Sequence, residues 1–283
     1  MIKKTPRDAV CVPFLSISAF CGKIKRRGGH SADGTRRRGR AAGGKWGNFA
    51  VIYITGDTHG ELDRFRSPEM KKLGTGDTLL VCGDFGFLWD GGAAERKNLR
   101  RLGSRRYAVA FVDGTHENFD LLGTYPVVDW NGGKARHISG NLYHLLRGRI
   151  YTIEGKKIFT FGGGESEEKQ LRIEAGKWWP CEMPSSAEIR GGLESLKAAG
   201  FAVDYIVTHE PPPGVDAARG PAGTAALNPL EVFFARVARE TSYKKWFSGA
   251  RHIDRKVTYK HYSVFERVLP VEEPPARRTL FRR

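Results

Sequence analysis

Carboxylate and imidazole side chains recur together at five points of this 283-residue chain: Gly56-Asp57-Thr58-His59-Gly60, Gly83-Asp84, Gly114-Thr115-His116-Glu117, Thr208-His209 and Gly249-Ala250-Arg251-His252. Each cluster falls where an apolar, strand-like run ends. Divalent metals of the Mn, Fe and Zn type accept mixed imidazole and carboxylate shells, and two such ions about 3.5–4 Å apart need one carboxylate that touches both. Asp84 is the only candidate for that bridge. Strand side chains repeat every second residue, so Asp57 and His59 would leave an extended strand end on the same side. Positions 250 and 252 follow the same rule. The order of these groups suits a two-metal site that cleaves phosphoesters.

Taken in this order, the clusters make residues 50–268 resemble the calcineurin-like metallophosphoesterases. Asn118-Phe119-Asp120, Trp130-Asn131-Gly132-Gly133-Lys134, Phe161-Gly162-Gly163-Gly164, Trp178-Trp179 and Glu182-Met183-Pro184 resemble a bacterial and phage-like branch of that family. The resemblance implies a first metal held by the Asp-x-His pair, the bridging Asp and the second His of a Gly-His-x-His motif. Those positions are Asp57, His59, Asp84 and His252. It implies a second metal held by the bridging Asp, an Asn before the third cluster's His, a later lone His, and the first His of Gly-His-x-His. Asp84 and His209 match, whereas Thr115 stands in place of the Asn and Ala250 in place of the His. A threonine hydroxyl is a weak neutral ligand and a methyl group coordinates nothing, so the first site is expected to be intact and the second degenerate.

His116 corresponds to the family's general acid, which protonates the leaving alkoxide, and Asp113 or Glu117 could orient its other nitrogen. The implied reaction is hydrolysis of a phosphomonoester or diester by metal-activated water, with manganese, iron or zinc as cofactor. The degenerate second site should slow it. The alternative is a protein that binds a phosphorylated ligand or nucleic acid without turnover. A single His or Asp at a strand end ordinarily caps or meets solvent, and it is the joint order that carries the reading. His30, His137, His144 and His261 receive no role. Arg251 lies between two positions that should face metal, so its side chain is expected to point away.

The elements required to place these groups are legible as alternating runs. Apolar stretches at 50–55, 78–82 and 107–112 read as parallel strands ending at the first three clusters, with helices near 93–103 and 117–123. Residues 142–146, 150–153 and 157–161 read as consecutive strand pairs joined by turns at Arg147-Gly148 and Glu154-Gly155. A helix over 185–199 begins at a Ser185/Glu188 capping box and leads to a strand at 203–208. The last strands are 246–248, 256–260 and 262–268. Glu165–Lys177 is polar and suits a rim or lid, and Trp178 and Trp179 suit its packing, or less readily a stacking platform for a base. The implied architecture is a four-layer αββα sandwich.

The net charge of +16 is concentrated at the start of the chain: residues 1–49 carry 12 Lys or Arg against two Asp, with Gly-rich spacing. That composition reads as a disordered basic arm able to contact nucleic acid phosphates. The catalytic domain would then span 50–268 and a short tail 269–283. Four cysteines without a CxxC spacing point to a reducing, cytoplasmic setting. The run from Ala9 to Phe20 contains Pro13 and lacks a small-residue cleavage site, which argues against secretion. No segment is long enough to span a bilayer. The Asp-Arg extension of protein phosphatases is missing after Gly83-Asp84, so a small phosphorylated substrate or a nucleic acid is the expected partner.

Overall fold

Short runs that lack any charged residue suit strands covered on both faces, as at the centre of a parallel sheet. β1 (Ile52–Thr55), β2 (Thr78–Val81) and β3 (Ala108–Phe111) are such runs, pairing in parallel with α1 (Pro68–Lys72) and α2 (Ala93–Gly103) between them. After α3 (Phe119–Gly123) the chain forms the β4 (Val127–Trp130) and β5 (Gly133–Ser139) hairpin and then β6 (Leu142–Leu145). The second half runs through β7 (Arg149–Ile153), β8 (Lys156–Phe161), α4 (Lys169–Glu174), α5 (Ser186–Ala198), β9 (Tyr205–Thr208), α6 (Pro229–Glu240), β10 (Lys245–Ser248), β11 (Arg255–Lys256), β12 (His261–Ser263) and β13 (Leu269–Pro270). These elements come from a computed structural model that describes residues 50–215 and 227–273. The basic arm expected over 1–49 lies outside the described residues. No helix among the described residues is long and apolar enough to cross a membrane.

One sheet has seven strands in the order β13-β1-β2-β3-β6-β5-β4, and the other six in the order β11-β12-β10-β9-β8-β7. Their facing sides form one core, in which Ile54, Leu80 and Ala110 meet Tyr151, Ile158 and Phe247. Alternate residues of the first sheet, Leu79, Val81 and Phe111, pack outward on Met70, Leu99 and Leu102 of its helices. On the far side, Phe159, Phe161 and Trp246 pack on Leu196 of α5 and on Phe233, Phe234 and Val237 of α6. Period-2 burial on strands meeting period-3.6 burial on helices makes the four-layer αββα sandwich that the sequence implies.

Several local expectations need correction. Residues 142–145 and 149–153 lie in different sheets, so Arg147-Gly148 is a crossing between layers and not a hairpin turn. Its geometry is set by burial: the Arg147 guanidinium lies 2.8 Å (Nε) from Asp113 Oδ2 and donates to the Cys181 carbonyl at 2.7 Å. Glu154-Gly155 does close a hairpin, as does Asn131-Gly132, and both pairs take the left-handed φ values (48° and 72°, 48° and 84°) that such two-residue turns demand. The hairpin at Asn131 and the helix α6 are elements the sequence reading did not place. The domain also runs beyond residue 268, because Leu269 and Pro270 pair with β1 and Val271 is buried.

Candidate metal centre

All five clusters stand at the carboxyl ends of parallel strands: Asp57 and His59 after β1, Asp84 after β2, Asp113 to Glu117 after β3, His209 after β9 and Ala250 to His252 after β10. The loops are laced together by backbone hydrogen bonds. Thr58 and His59 donate their amides to the Asp84 carbonyl at 3.0 and 2.9 Å, and Gly60 donates to that of Phe85 at 3.0 Å. His59, Asp84, Ala250 and His252 all adopt left-handed φ values, of 44°, 40°, 39° and 49°. The extended Asp-x-His geometry expected for Asp57 and His59 is therefore replaced by a backbone reversal at the histidine. Non-glycine residues there carry strain of order 1–3 kcal/mol each, and such strain gathers at functional sites.

The neighbouring glycines are explained by close approach. A Cβ at Gly249 would lie 2.0 Å from Asp57 Oδ1, and one at Gly83 would lie 2.2 Å from His209 Nδ1. Any larger residue would displace a carboxylate or imidazole from the centre.

Three overlapping groups result, each with its ligand atoms within 4.8 Å of one another: Asp57 with His59 and His252, Asp57 with Asp84 and His209, and His59 with Asp84 and His116. His252 Nε2 lies 3.0 Å from His59 Nε2 and 3.1 Å from Asp57 Oδ2. Asp57 is fully buried, and its Oδ1 has no hydrogen-bond partner. Asp57 thus turns Oδ2 toward two facing imidazole nitrogens and leaves Oδ1 without a hydrogen bond, a donor set that a divalent cation satisfies. His209 Nδ1 and Nε2 lie 3.6 Å from Asp57 Oδ1 and from Asp84 Oδ1 respectively. The two positions expected to be degenerate, Thr115 and Ala250, fall at the same centre. Thr115 Oγ1 is 3.5 Å from Asp84 Oδ1, and Ala250 lines the cleft.

Electrostatics follow from packing two carboxylates among imidazoles. Burial alone would raise the Asp84 carboxyl, but the His209 charge and the His116 hydrogen bond hold it well below the usual carboxylate range. Burial would lower His209, yet Asp84 and Asp57 push it well above the ordinary imidazole value. His59 is held below that value by burial and so offers a lone pair at neutral pH. A metal that takes His209 must therefore displace a proton. Metal binding at His209 is expected to strengthen as pH rises through its raised imidazole value, with proton release visible as a buffer-dependent heat in isothermal titration. Heats independent of buffer ionisation would contradict this protonation state.

His116 is oriented by a partner that neither expectation named. Its Nδ1 lies 2.6 Å from Asp84 Oδ2, and its amide donates to Asp84 Oδ1 at 2.9 Å. Asp113 is held by Arg147 and by His144 Nε2 at 3.0 Å. Glu117 accepts the amides of Phe85 and Gly114 at 2.7 and 2.9 Å, fastening the second loop to the third. Burial, with Asp84 close by, pushes its carboxyl up to about 8.

Residues 50–255 match the model of the calcineurin-like phosphoesterases. The chain belongs to that family. No curated protein matches it. In this calcineurin-like phosphoesterase the histidines and carboxylates floor a cleft of about 330 Å³. The segment expected to be a rim supplies Glu165, Ser166, Glu167, Glu168 and Arg172 to its wall. Arg251 also lines the cleft, contrary to the expectation that it turns away, and its Nη2 lies 3.0 Å from Glu210 Oε2. The left-handed turn at Ala250 and His252 redirects the side chain between them. Trp179 packs: its Nε1 donates to Asp120 Oδ2 at 2.9 Å, and its ring meets Trp89 edge-on.

Proposed function

We propose that the protein hydrolyses a phosphomonoester or phosphodiester of a small molecule or nucleic acid, with Asp57, His59, Asp84 and His252 holding one divalent transition metal, manganese foremost. The observation that supports this most directly is the placement of Asp84. One carboxylate adjoins His59 and His209 and also fixes the ring of His116 in the same cleft. A bound divalent cation supplies Lewis acidity toward a phosphoryl oxygen and a water acidic enough to act as nucleophile near neutral pH. Asp84 leaves Nε2 of His116 as the nitrogen able to protonate a leaving alkoxide. His209 would complete a weaker second position with Asp84. Thr115 and Ala250 leave that position short of two ligands, which also favours the second reading of a binding protein with little turnover.

Manganese-supplemented protein is expected to retain one tightly held equivalent after desalting, and to hydrolyse bis(p-nitrophenyl) phosphate or p-nitrophenyl phosphate slowly. Thr115→Asn with Ala250→His should add the second equivalent and raise the rate by about tenfold or more, because a second Lewis acid contributes several kcal/mol. Either change alone should help less, since the ligands act as a unit. Two tight equivalents in the parent, or a parent as fast as the double variant, would show the second site to be whole. Metal binding with no turnover by parent or double variant would favour the binding protein.

A further inference from the structure

Arg172 sits in a polar segment with no apolar period, yet it is 7% exposed, in the wall of the metal cleft. Its Nη1 lies 2.7 Å from Glu182 Oε1 and also donates to Ser166 Oγ, while Ser166 donates to Glu182 Oε2 at 2.6 Å. Its other terminal nitrogen, Nη2, is buried and has no hydrogen-bond partner. The triple glycine ties this network to the metal-bearing loops. Gly163 donates its amide to the Asp113 carbonyl at 2.9 Å and Gly164 donates to that of Glu182 at 3.1 Å. A Cβ on Gly164 would lie 3.1 Å from the Thr115 methyl.

A buried guanidinium nitrogen without an acceptor is costly, and in a residue that lines a cleft it can be satisfied by an acceptor that enters there. Arg251, the other arginine of that wall, has Glu210 for a partner. Arg172 keeps Glu182 on one nitrogen and has two N–H donors unspent on the other. Planar, permanently charged and fixed by two partners, it suits a tetrahedral oxyanion better than a solvated lysine would.

We propose that Arg172, positioned by Glu182 and Ser166, binds a phosphoryl oxygen of the substrate and supplies positive charge where Thr115 and Ala250 weaken the second metal position. The assignment rests on reading the cleft as a phosphoester site, and its test does not depend on turnover. Full-length, manganese-loaded protein is titrated calorimetrically with inorganic phosphate. Arg172→Gln combined with Glu182→Gln removes the ion pair without leaving one charge buried alone, and should weaken phosphate binding by about tenfold or more with metal content unchanged. Glu182→Gln alone keeps the cation but loosens its positioning, and should weaken phosphate binding by clearly less than the double variant does. Arg172→Lys retains charge but loses the fork, and should fall between. It decides the matter should the double variant not fold. Where a diester is turned over, the loss in Arg172→Lys should appear mainly in KM. Phosphate affinity unchanged in the Arg172 variants, equal loss in Glu182→Gln, or no phosphate binding by the parent would overturn the assignment. Phosphate binding that depends on Arg172 without any hydrolysis would leave this assignment standing and remove the hydrolase reading.

Discussion

Asp84→Asn is expected to strip the protein of tightly bound metal and lower phosphoesterase activity on the order of a thousandfold or more, since the lost Lewis-acid stabilisation amounts to several kcal/mol. Asp84 accepts the Thr115 and His116 amides at 2.6 and 2.9 Å, and an asparagine carbonyl oxygen can take both. The left-handed backbone at this position (φ 40°) suits asparagine at least as well as aspartate. The fold should therefore survive. What disappears is the negative charge that faces His59 and His209, so His209 should lose much of the upward shift that Asp84 imposes on it. Metal analysis after desalting, beside a melting curve, separates the outcomes. A folded variant that keeps one equivalent of metal and activity within tenfold of the parent would remove Asp84 from the metal centre.

His116→Ala should cut kcat by about a hundredfold to ten-thousandfold on substrates with alkoxide leaving groups, the range for loss of a positioned general acid. The effect should shrink on p-nitrophenyl esters, whose leaving group departs without a proton. Metal content should stay near that of the parent, because the His116 Nδ1 contact is to Asp84 and His116 is not one of the four proposed ligands. The same imidazole also falls in a possible ligand group with His59 and Asp84, which makes the measurement decisive. Loss of metal on mutation, with equal loss of rate on good and poor leaving groups, would reassign His116 as a ligand.

Much of the fold was legible because it is written locally. Uncharged runs at 52–55, 78–81 and 108–111, each closed by a turn signal, read as buried strands, and the Ser185/Glu188 capping box marks the start of α5. The helix α6 carries comparable local signals: an Asn228/Glu231 box, Pro229 at its first turn, and Leu230, Phe233, Phe234 and Val237 on one face. The site was legible for a related reason, since parallel strands deliver whatever follows them to one edge of the sheets.

The chain alone shows which carboxylates and imidazoles follow the strand ends that meet at the candidate metal centre. It could not decide how those side chains meet. Adjacent strands such as β6 and β7 carry no local mark of belonging to different sheets, and the left-handed turns at His59, Asp84, Ala250 and His252 arise from hydrogen bonds between distant loops. Asp84, and not Asp113 or Glu117, orients His116, because Arg147 and two backbone amides had already claimed the other carboxylates. The buried Arg172–Glu182 pair has no periodic signature either. In the chain both residues read as solvated charge, and only the tertiary fold, by withdrawing water from them, made their partners matter.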